Sequence, residues 1–163
     1  MHILMCNDDG ILADGLRHLA SYLSQYYRIT VVAPANEQSA KSHALTTEVP
    51  LKLDAYNGED ENPRLYALTG TPSDCMKFGL SYLLTDDMPD LVISGINHGF
   101  NLGSDVLYSG TVSAAMESCF YGIPGLALSV ESYSVERGAE MHPFISELID
   151  KIYVTGKFSG LLN

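Results

Sequence analysis

The chain has 163 residues, 46% of them apolar and 18% charged, with a formal net charge of −11. That length and apolar content fit one compact domain with a real core and exclude a disordered chain. The acidic balance excludes long nucleic acids and anionic membranes as natural partners, because both repel a negative surface; a small phosphorylated ligand stays open, since a bound divalent cation reverses the local potential.

The first element is a short apolar run, residues 2–6, stopped by Asn7-Asp8-Asp9-Gly10. It predicts a buried strand ending in a turn. Leu16, Leu19, Ala20 and Leu23 then recur at helical spacing, which predicts a helix capped near Asp14. Residues 29–33 form a second β-branched strand ended by Pro34, completing one βαβ unit.

Residues 36–47 are polar and rich in Ser and Thr, and read as a functional loop. Val49, Leu51 and Leu53 alternate with other residues and predict a half-exposed strand; residues 64–68 predict another. Thr71-Pro72-Ser73-Asp74 opens a helix to about residue 84, with Pro at the first helical position and Asp in the first turn. Residues 90–94 are a core strand, followed by a glycine-rich loop to Asp105. Ser109-Gly110-Thr111 opens a helix of small residues through Phe120, Pro124 breaks it, and residues 126–130 form the next strand. A final amphipathic helix is expected over 142–152, and Gly160-Leu161-Leu162-Asn163 reads as the start of a strand. Apolar strands alternating with helices predict a Rossmann-like α/β fold, a mostly parallel sheet covered by helices on both faces.

The three cysteines, Cys6, Cys75 and Cys119, lie far apart in apolar segments without a C-x-x-C pair. Buried free thiols in a reducing, cytoplasmic setting are expected. The N-terminus has no basic region before Asp8 and Asp9 and does not read as a signal peptide, and no apolar run is long enough to span a bilayer.

Ligands of open α/β sheets bind beyond the C-terminal strand ends. There the sequence places Asp8 and Asp9, Ser39, and Asn97 and Asn101. Adjacent carboxylates repel unless a cation neutralises them, and hard oxygen donors suit Mg²⁺, Mn²⁺ or Ca²⁺. Alone, Asp-Asp-Gly suits a solvated turn better, and Ser39 alone is an ordinary loop serine. Asn97 offers an amide oxygen, Asn101 a contact to phosphate or bound water, and glycines 95, 99 and 103 permit close approach or a simple turn. Ser109, Gly110 and Thr111 open a helix whose free N–H groups and hydroxyls suit a phosphate, or serve as a helix cap. Thr69-Gly70-Thr71-Pro72 reads as a turn and cap lining the same pocket, and His43 and His98 lie in site loops as acid or substrate contacts.

These segments together resemble the SurE (survival protein E) family. The resemblance rests on Asn7-Asp8-Asp9-Gly10, Ser39 after Ala33-Pro34, residues 69–75, residues 90–101, residues 108–112 and Gly122-Ile123-Pro124, in order along the whole chain. It implies a single cytoplasmic phosphatase domain over residues 1–163, acting on nucleoside 5′- and 3′-monophosphates. It also implies a Mg²⁺ or Mn²⁺ ion on Asp8, Asp9, Ser39 and Asn97, phosphate on Ser109, Gly110 and Thr111, and a homo-oligomer, dimer or tetramer. Asp8 or Asp9 either orients the attacking water or acts as the nucleophile. Two departures stand out: Ser39-Ala40 where the family usually has Ser-Gly, and Pro124-Gly125 where Pro-Ala is common. Family chains are also considerably longer and continue past the strand near Leu161 with a segment that builds oligomer contacts.

Other phosphate chemistries fit poorly. There is no G-x-G-x-x-G after the first strand, no G-x-x-x-x-G-K-[ST], and Asn7 stands where an aspartyl-phosphate enzyme would show D-x-D-G. A non-catalytic nucleotide- and metal-binding regulatory protein is the alternative.

Overall fold

The computed structural model describes residues 1–58, 60–156 and 158–163. Its centre is one seven-stranded sheet. The elements run β1 (His2–Cys6), α1 (Asp14–Leu23), β2 (Arg28–Pro34), β3 (Leu53–Ala55), β4 (Arg64–Leu68), α2 (Pro72–Phe78), β5 (Leu91–His98), α3 (Gly110–Glu117), β6 (Gly125–Val130), α4 (Val135–Thr155) and β7 (Leu161–Leu162). The strand order is β3-β4-β2-β1-β5-β6-β7, and β3 pairs antiparallel with β4 while the other pairs are parallel. This is the expected Rossmann-like α/β class.

Strand alternation sends side chains to two cores. Ile3, Met5, Val31 and Ile93 meet Leu16, Leu19 and Leu23 of α1 and Ile145 and Ile149 of α4. Leu4, Cys6, Val32 and Val92 meet Cys75 and Met76 of α2 and Ala114 of α3 on the opposite face. Burial of one such Leu or Ile contributes about 1.5–3 kcal/mol. Both faces of the central strands are therefore apolar, as a parallel sheet between helices requires. Among the described residues, no helix is long and apolar enough to cross a membrane. All three cysteines are free; Cys6 and Cys75 are buried, and Cys119, expected inside, is only half-buried.

The path of the chain positions the site. From β1 the chain moves outward to β2 and β4, then returns to place β5 on the other side of β1. The reversal opens a crevice at the C-terminal ends of β1 and β5, where such folds bind ligands.

Four local expectations need correction. Asp14 lies in the first turn of α1; Ala13 is the capping residue and makes no side-chain bond, and the turn is set by Ala13 N–H donating to Gly10 O (3.0 Å). The strand expected around Val49 begins only at Leu53, because Pro50 has no N–H for a ladder and Val49 stays exposed. Strand β5 does not stop at Ser94 but reaches His98 through an irregular register between Ser94 and Asn97. Gly95 makes this possible: its φ is +125°, and a Cβ there would sit 2.3 Å from the Leu128 carbonyl oxygen. Finally, α4 starts at Val135, two turns before His142, capped by Ser134, whose hydroxyl accepts from Arg137 N–H (3.3 Å). Gly138 and Pro143 lower helix propensity there, but packing of Met141, Ile145 and Leu148 on the core outweighs them.

Candidate functional site

Asn7 builds the turn that presents the two aspartates. Its side-chain oxygen accepts from Gly10 N–H and its nitrogen donates to Gly10 O, both at 3.1 Å. Gly10, at φ +101°, lets the chain reverse there. Asp8 is thereby held in the interior at 5% exposure, while Asp9 is half-buried beside the crevice.

Asp8 is fixed by α3. The Thr111 hydroxyl donates to Asp8 Oδ1 at 2.5 Å, and the Thr111 backbone at the start of α3 also favours the charged carboxylate. The positive end of α3 thus already faces an anion, Asp8 itself. Gly110 allows the approach, since a Cβ there would lie 2.8 Å from Asp8 Cβ and 3.0 Å from Asp8 Oδ2. Ser109 caps the helix by accepting from Val112 N–H (3.1 Å) and lines the crevice. Thr111 is completely buried and does not line it.

The loop over residues 36–47 closes the crevice from the side and is tied at several points. Gln38 N–H donates to Asp8 O (2.7 Å), Ser42 N–H to Tyr108 O (3.1 Å) and Ser42 Oγ to Leu107 O (2.7 Å). His43 pairs with buried Glu117 at 3.5 Å, so it lies on α3 rather than in the crevice. Thr71, Pro72 and Asp74 likewise do not line the crevice. Thr71 and Asp74 form a reciprocal capping box at the start of α2. The Asp74 carboxylate also accepts from Thr46 N–H (3.0 Å) and Thr46 Oγ (2.6 Å), anchoring the loop's far end. Ser39 sits at the tip with its hydroxyl donating to Glu37 Oε1 (2.7 Å), and Ala40 takes the left-handed φ of +57° that glycine would adopt easily.

Asn97 and Asn101 complete the far wall. Asn97 uses its amide nitrogen on Gly99 O (2.8 Å), which leaves its carbonyl oxygen as the available donor atom for a cation. Asn101 donates to Ser129 Oγ (2.7 Å). Asp8, Asp9, Ser39, Asn97, Asn101 and Ser109 therefore meet around one open cleft of about 500 Å³. Glu37, Asp105 and Tyr108 also line it and were not singled out from the sequence. Only the proximity of Glu37 to Ser39, and of Asp105 and Tyr108 to Ser109, could have drawn attention to them. His98 lines the cleft as expected.

The electrostatics are one-sided. Burial is the main cause raising both aspartates: Asp8 is pushed up with partial relief from Thr111, and Asp9 is pushed up to about 6, with the charges of Asp8 and Glu37 adding to burial. Asp8, Asp9, Glu37 and Asp105 face the cleft, and no Lys or Arg is among its lining residues. A phosphate would be repelled from such a wall unless a cation intervened. The donors at hand, two carboxylates, a hydroxyl and an amide oxygen, are all hard oxygens, which fit Mg²⁺ or Mn²⁺. Among the described residues no group of three or more His, Cys, Asp or Glu side chains forms a metal cluster, so a cation here would rest on Asp8 and Asp9 with neutral oxygens beside them.

Comparison with known proteins gives the family. The family model "Survival protein SurE" matches residues 3–163. The chain belongs to the SurE family. This SurE chain is 48% identical over 156 residues to 5′-nucleotidase SurE of Thermoanaerobacter sp. (strain X514), covering 96% of the chain and 61% of that protein. It is 52% identical over 139 residues to 5′-nucleotidase SurE of Thermosipho africanus (strain TCF52B), covering 83% of the chain and 52% of the relative. The crystal structure of the SurE protein from Aquifex aeolicus superposes with a TM-score of 0.81 at 38% identity, over 93% of this chain and 60% of that one. The SurE chain thus spans roughly half to three-fifths of the length of the relatives it matches.

Proposed function

We propose that this SurE chain carries the site of a divalent-metal-dependent phosphatase that hydrolyses nucleoside 5′-monophosphates, and 3′-monophosphates, to nucleoside and phosphate. The observation that carries it is the meeting of Asp8 and Asp9 with the oxygens of Ser39 and Asn97 and the helix cap Ser109 in a cleft without Lys or Arg. The names of the relatives, 5′-nucleotidase SurE, supply the reaction class. A cytoplasmic protein that assembles as a dimer or tetramer is part of the same reading.

Asp8, Asp9, Ser39 and Asn97 would hold Mg²⁺ or Mn²⁺, which when bound polarises the phosphoryl group and acidifies water. The protein's own contributions follow from its contacts. Thr111 favours the ionised form of Asp8, against the burial that disfavours it, and fixes the carboxylate through its hydroxyl hydrogen bond. Asp9 is the freer carboxylate and takes the proton as water attacks phosphorus; acting instead as nucleophile, it would displace the sugar oxygen to give an acyl phosphate, which water then hydrolyses to phosphate and free Asp9. Ser109 Oγ, on the cleft wall at the start of α3, holds a phosphate oxygen, and Asn101 flanks it; Gly110 is buried behind Ser109 and does not line the cleft. As the P–O bond to the sugar breaks, His98 is placed to protonate the departing oxygen.

The test is phosphate release from AMP with and without added Mn²⁺ after EDTA treatment. Release that depends on the metal supports the phosphatase. Calorimetric binding of Mn²⁺ and AMP without release would replace it with the regulatory nucleotide-binding reading.

A further inference from the structure

A ring of contacts runs around the cleft. It starts at Asp8, whose carbonyl oxygen accepts from Gln38 N–H (2.7 Å), and follows the chain to Ser42. From Ser42 it crosses to Tyr108 and Ser109, and it returns from Thr111 to the Asp8 carboxylate. Residues 39–41 bridge its two anchored sides. Ser39 and Ala40 of this bridge line the cleft, whereas Ser42 does not.

Ser42 holds its end of the bridge with two donors at once. Its N–H reaches Tyr108 O (3.1 Å) and its hydroxyl reaches Leu107 O (2.7 Å), the two carbonyls that precede the α3 cap Ser109. To do so its backbone stands at φ +55°, in the left-handed region that a residue with a Cβ enters only at a cost. Such an angle persists where the surroundings over-determine it, and here one donor comes from the main chain and one from the side chain. Ala40, at φ +57°, turns the chain two residues earlier, so two left-handed residues shape the bridge.

The Gln38 tie fixes a point beside Ser39 and not the direction of its side chain. That direction depends on where the chain goes next, and Ser42 sets the path. Ser39 donates its hydroxyl hydrogen to Glu37 Oε1 (2.7 Å), so the lone pairs of its oxygen remain for a cation. Asp8 is held by the same stretch of chain, through Thr111 in the first turn of α3. Ser42 and Thr111 thus tie two candidate cation donors, Ser39 and Asp8, to one helix start. A small divalent ion such as Mg²⁺ demands near-ideal placement of its oxygens, so the tie matters to it.

We propose that Ser42 is a positioning residue for the metal site: by clamping the carbonyls of Leu107 and Tyr108 it sets the direction in which Ser39 presents its oxygen to a cation on Asp8. The proposal rests on the metal-dependent phosphatase reading of the cleft. Ser42 itself touches neither cation nor substrate.

The test measures Mn²⁺ binding by calorimetry, with the urea midpoint of each protein, in the wild type, Ser42→Ala, Ser42→Gly, Ser39→Ala and the double variant Ser39→Ala/Ser42→Ala. Ser42→Ala and Ser42→Gly should each bind Mn²⁺ about three- to tenfold more weakly than the wild type, the size expected for one hydrogen bond. Ser39→Ala should also bind more weakly, and adding Ser42→Ala to it should change the affinity no further, because the residue through which Ser42 acts is gone. Losses that multiply in the double variant overturn the proposal and make Ser42 a general prop of the fold. Wild-type affinity in Ser42→Gly overturns it too, since the backbone angle would then be the whole requirement, and so does wild-type affinity in Ser39→Ala. All three results leave the cation site standing. Should Ser42→Ala fail to fold, Ser42→Gly and its double variant with Ser39→Ala carry the same comparison, because glycine takes the left-handed angle freely. A wild type that binds no Mn²⁺ overturns the metal-dependent reading, and the positioning role with it.

Discussion

The Thr111 hydroxyl donates to Asp8 Oδ1 at 2.5 Å across 103 residues of sequence, and both groups are buried. This bond joins the end of the first strand to the start of α3, the two walls on which the candidate chemistry stands. Burial alone would drive Asp8 toward its neutral form, and Thr111 is what opposes that.

Thr111→Val keeps the volume and removes the donor. Asp8 then loses its side-chain partner, at a cost of about 1–3 kcal/mol. AMP hydrolysis should fall by more than about tenfold, while Thr111→Ser retains most of it. Thermal melting and steady-state kinetics on the three proteins check this. Equal activity in the Val variant would show the bond to be idle.

Gly110→Ala should destabilise the protein even though alanine favours helices by about 1 kcal/mol over glycine. The added Cβ would press on Asp8 Cβ and Oδ2 at 2.8 and 3.0 Å and on Pro72 at 3.1 Å. Crowding of this kind typically costs about 1–3 kcal/mol. The denaturation midpoint should drop, and Mn²⁺ affinity measured by calorimetry should drop with it because Asp8 is displaced.

Asp9→Asn makes a prediction whose sign depends on pH. The folded protein holds the Asp9 proton up to about 6, above the ordinary carboxylate value near 3.8. The native state therefore binds more protons than the unfolded state across that window, and metal-free stability falls as pH rises from about 4 to about 6. Above this window the penalty is complete, roughly 1–3 kcal/mol after solvent screening. Metal-free Asp9→Asn should melt higher than the wild type at pH 8, with the gap closing toward pH 4. Added Mn²⁺ should raise the melting temperature of the wild type far more than that of the variant. A gap that does not change with pH would mean Asp9 carries no such penalty.

Ala40→Gly should stabilise the Ser39 loop. Ala40 is exposed and holds φ at +57°, which costs a residue with a Cβ about 1–2 kcal/mol. The extra freedom of glycine in the unfolded chain takes back about 0.4–1 kcal/mol. A net gain of up to about 1 kcal/mol should appear as a higher urea midpoint with an unchanged slope. A lower midpoint would show that the loop needs the stiffness of alanine more than it suffers the strain.

Elements dictated by local chemistry were legible before folding. Strand β1 and the start of α2 are examples, since Pro72, Thr71 and Asp74 specify their own capping box. The two aspartates, Ser39, Asn97, Asn101 and Ser109 could be placed near one another because strand ends converge in this topology. What stayed hidden depends on distant partners. The extension of β5 to His98 needs Gly95 to pass the Leu128 carbonyl on a neighbouring strand, and nothing near residue 95 announces Leu128. The early start of α4 runs against its own glycine and proline. Thr111 reads locally as a phosphate-binding helix start, and only the fold shows its hydroxyl committed to Asp8.

The Asp74 carboxylate has a consequence for how the molecule is digested. Irregular, polar surface segments are normally the first cut by proteases, because cleavage requires the chain to detach and extend locally. Residues 36–47 have that composition, yet Asp74 grips Thr46 at one end, Ser42 and His43 are held in the middle, and Gln38 is bonded to Asp8 at the other. Detachment must break several of these links at once. The segment around Ser39 should therefore be nicked slowly for its sequence, and Asp74→Asn, which weakens the grip on Thr46, should turn it into an early cleavage point.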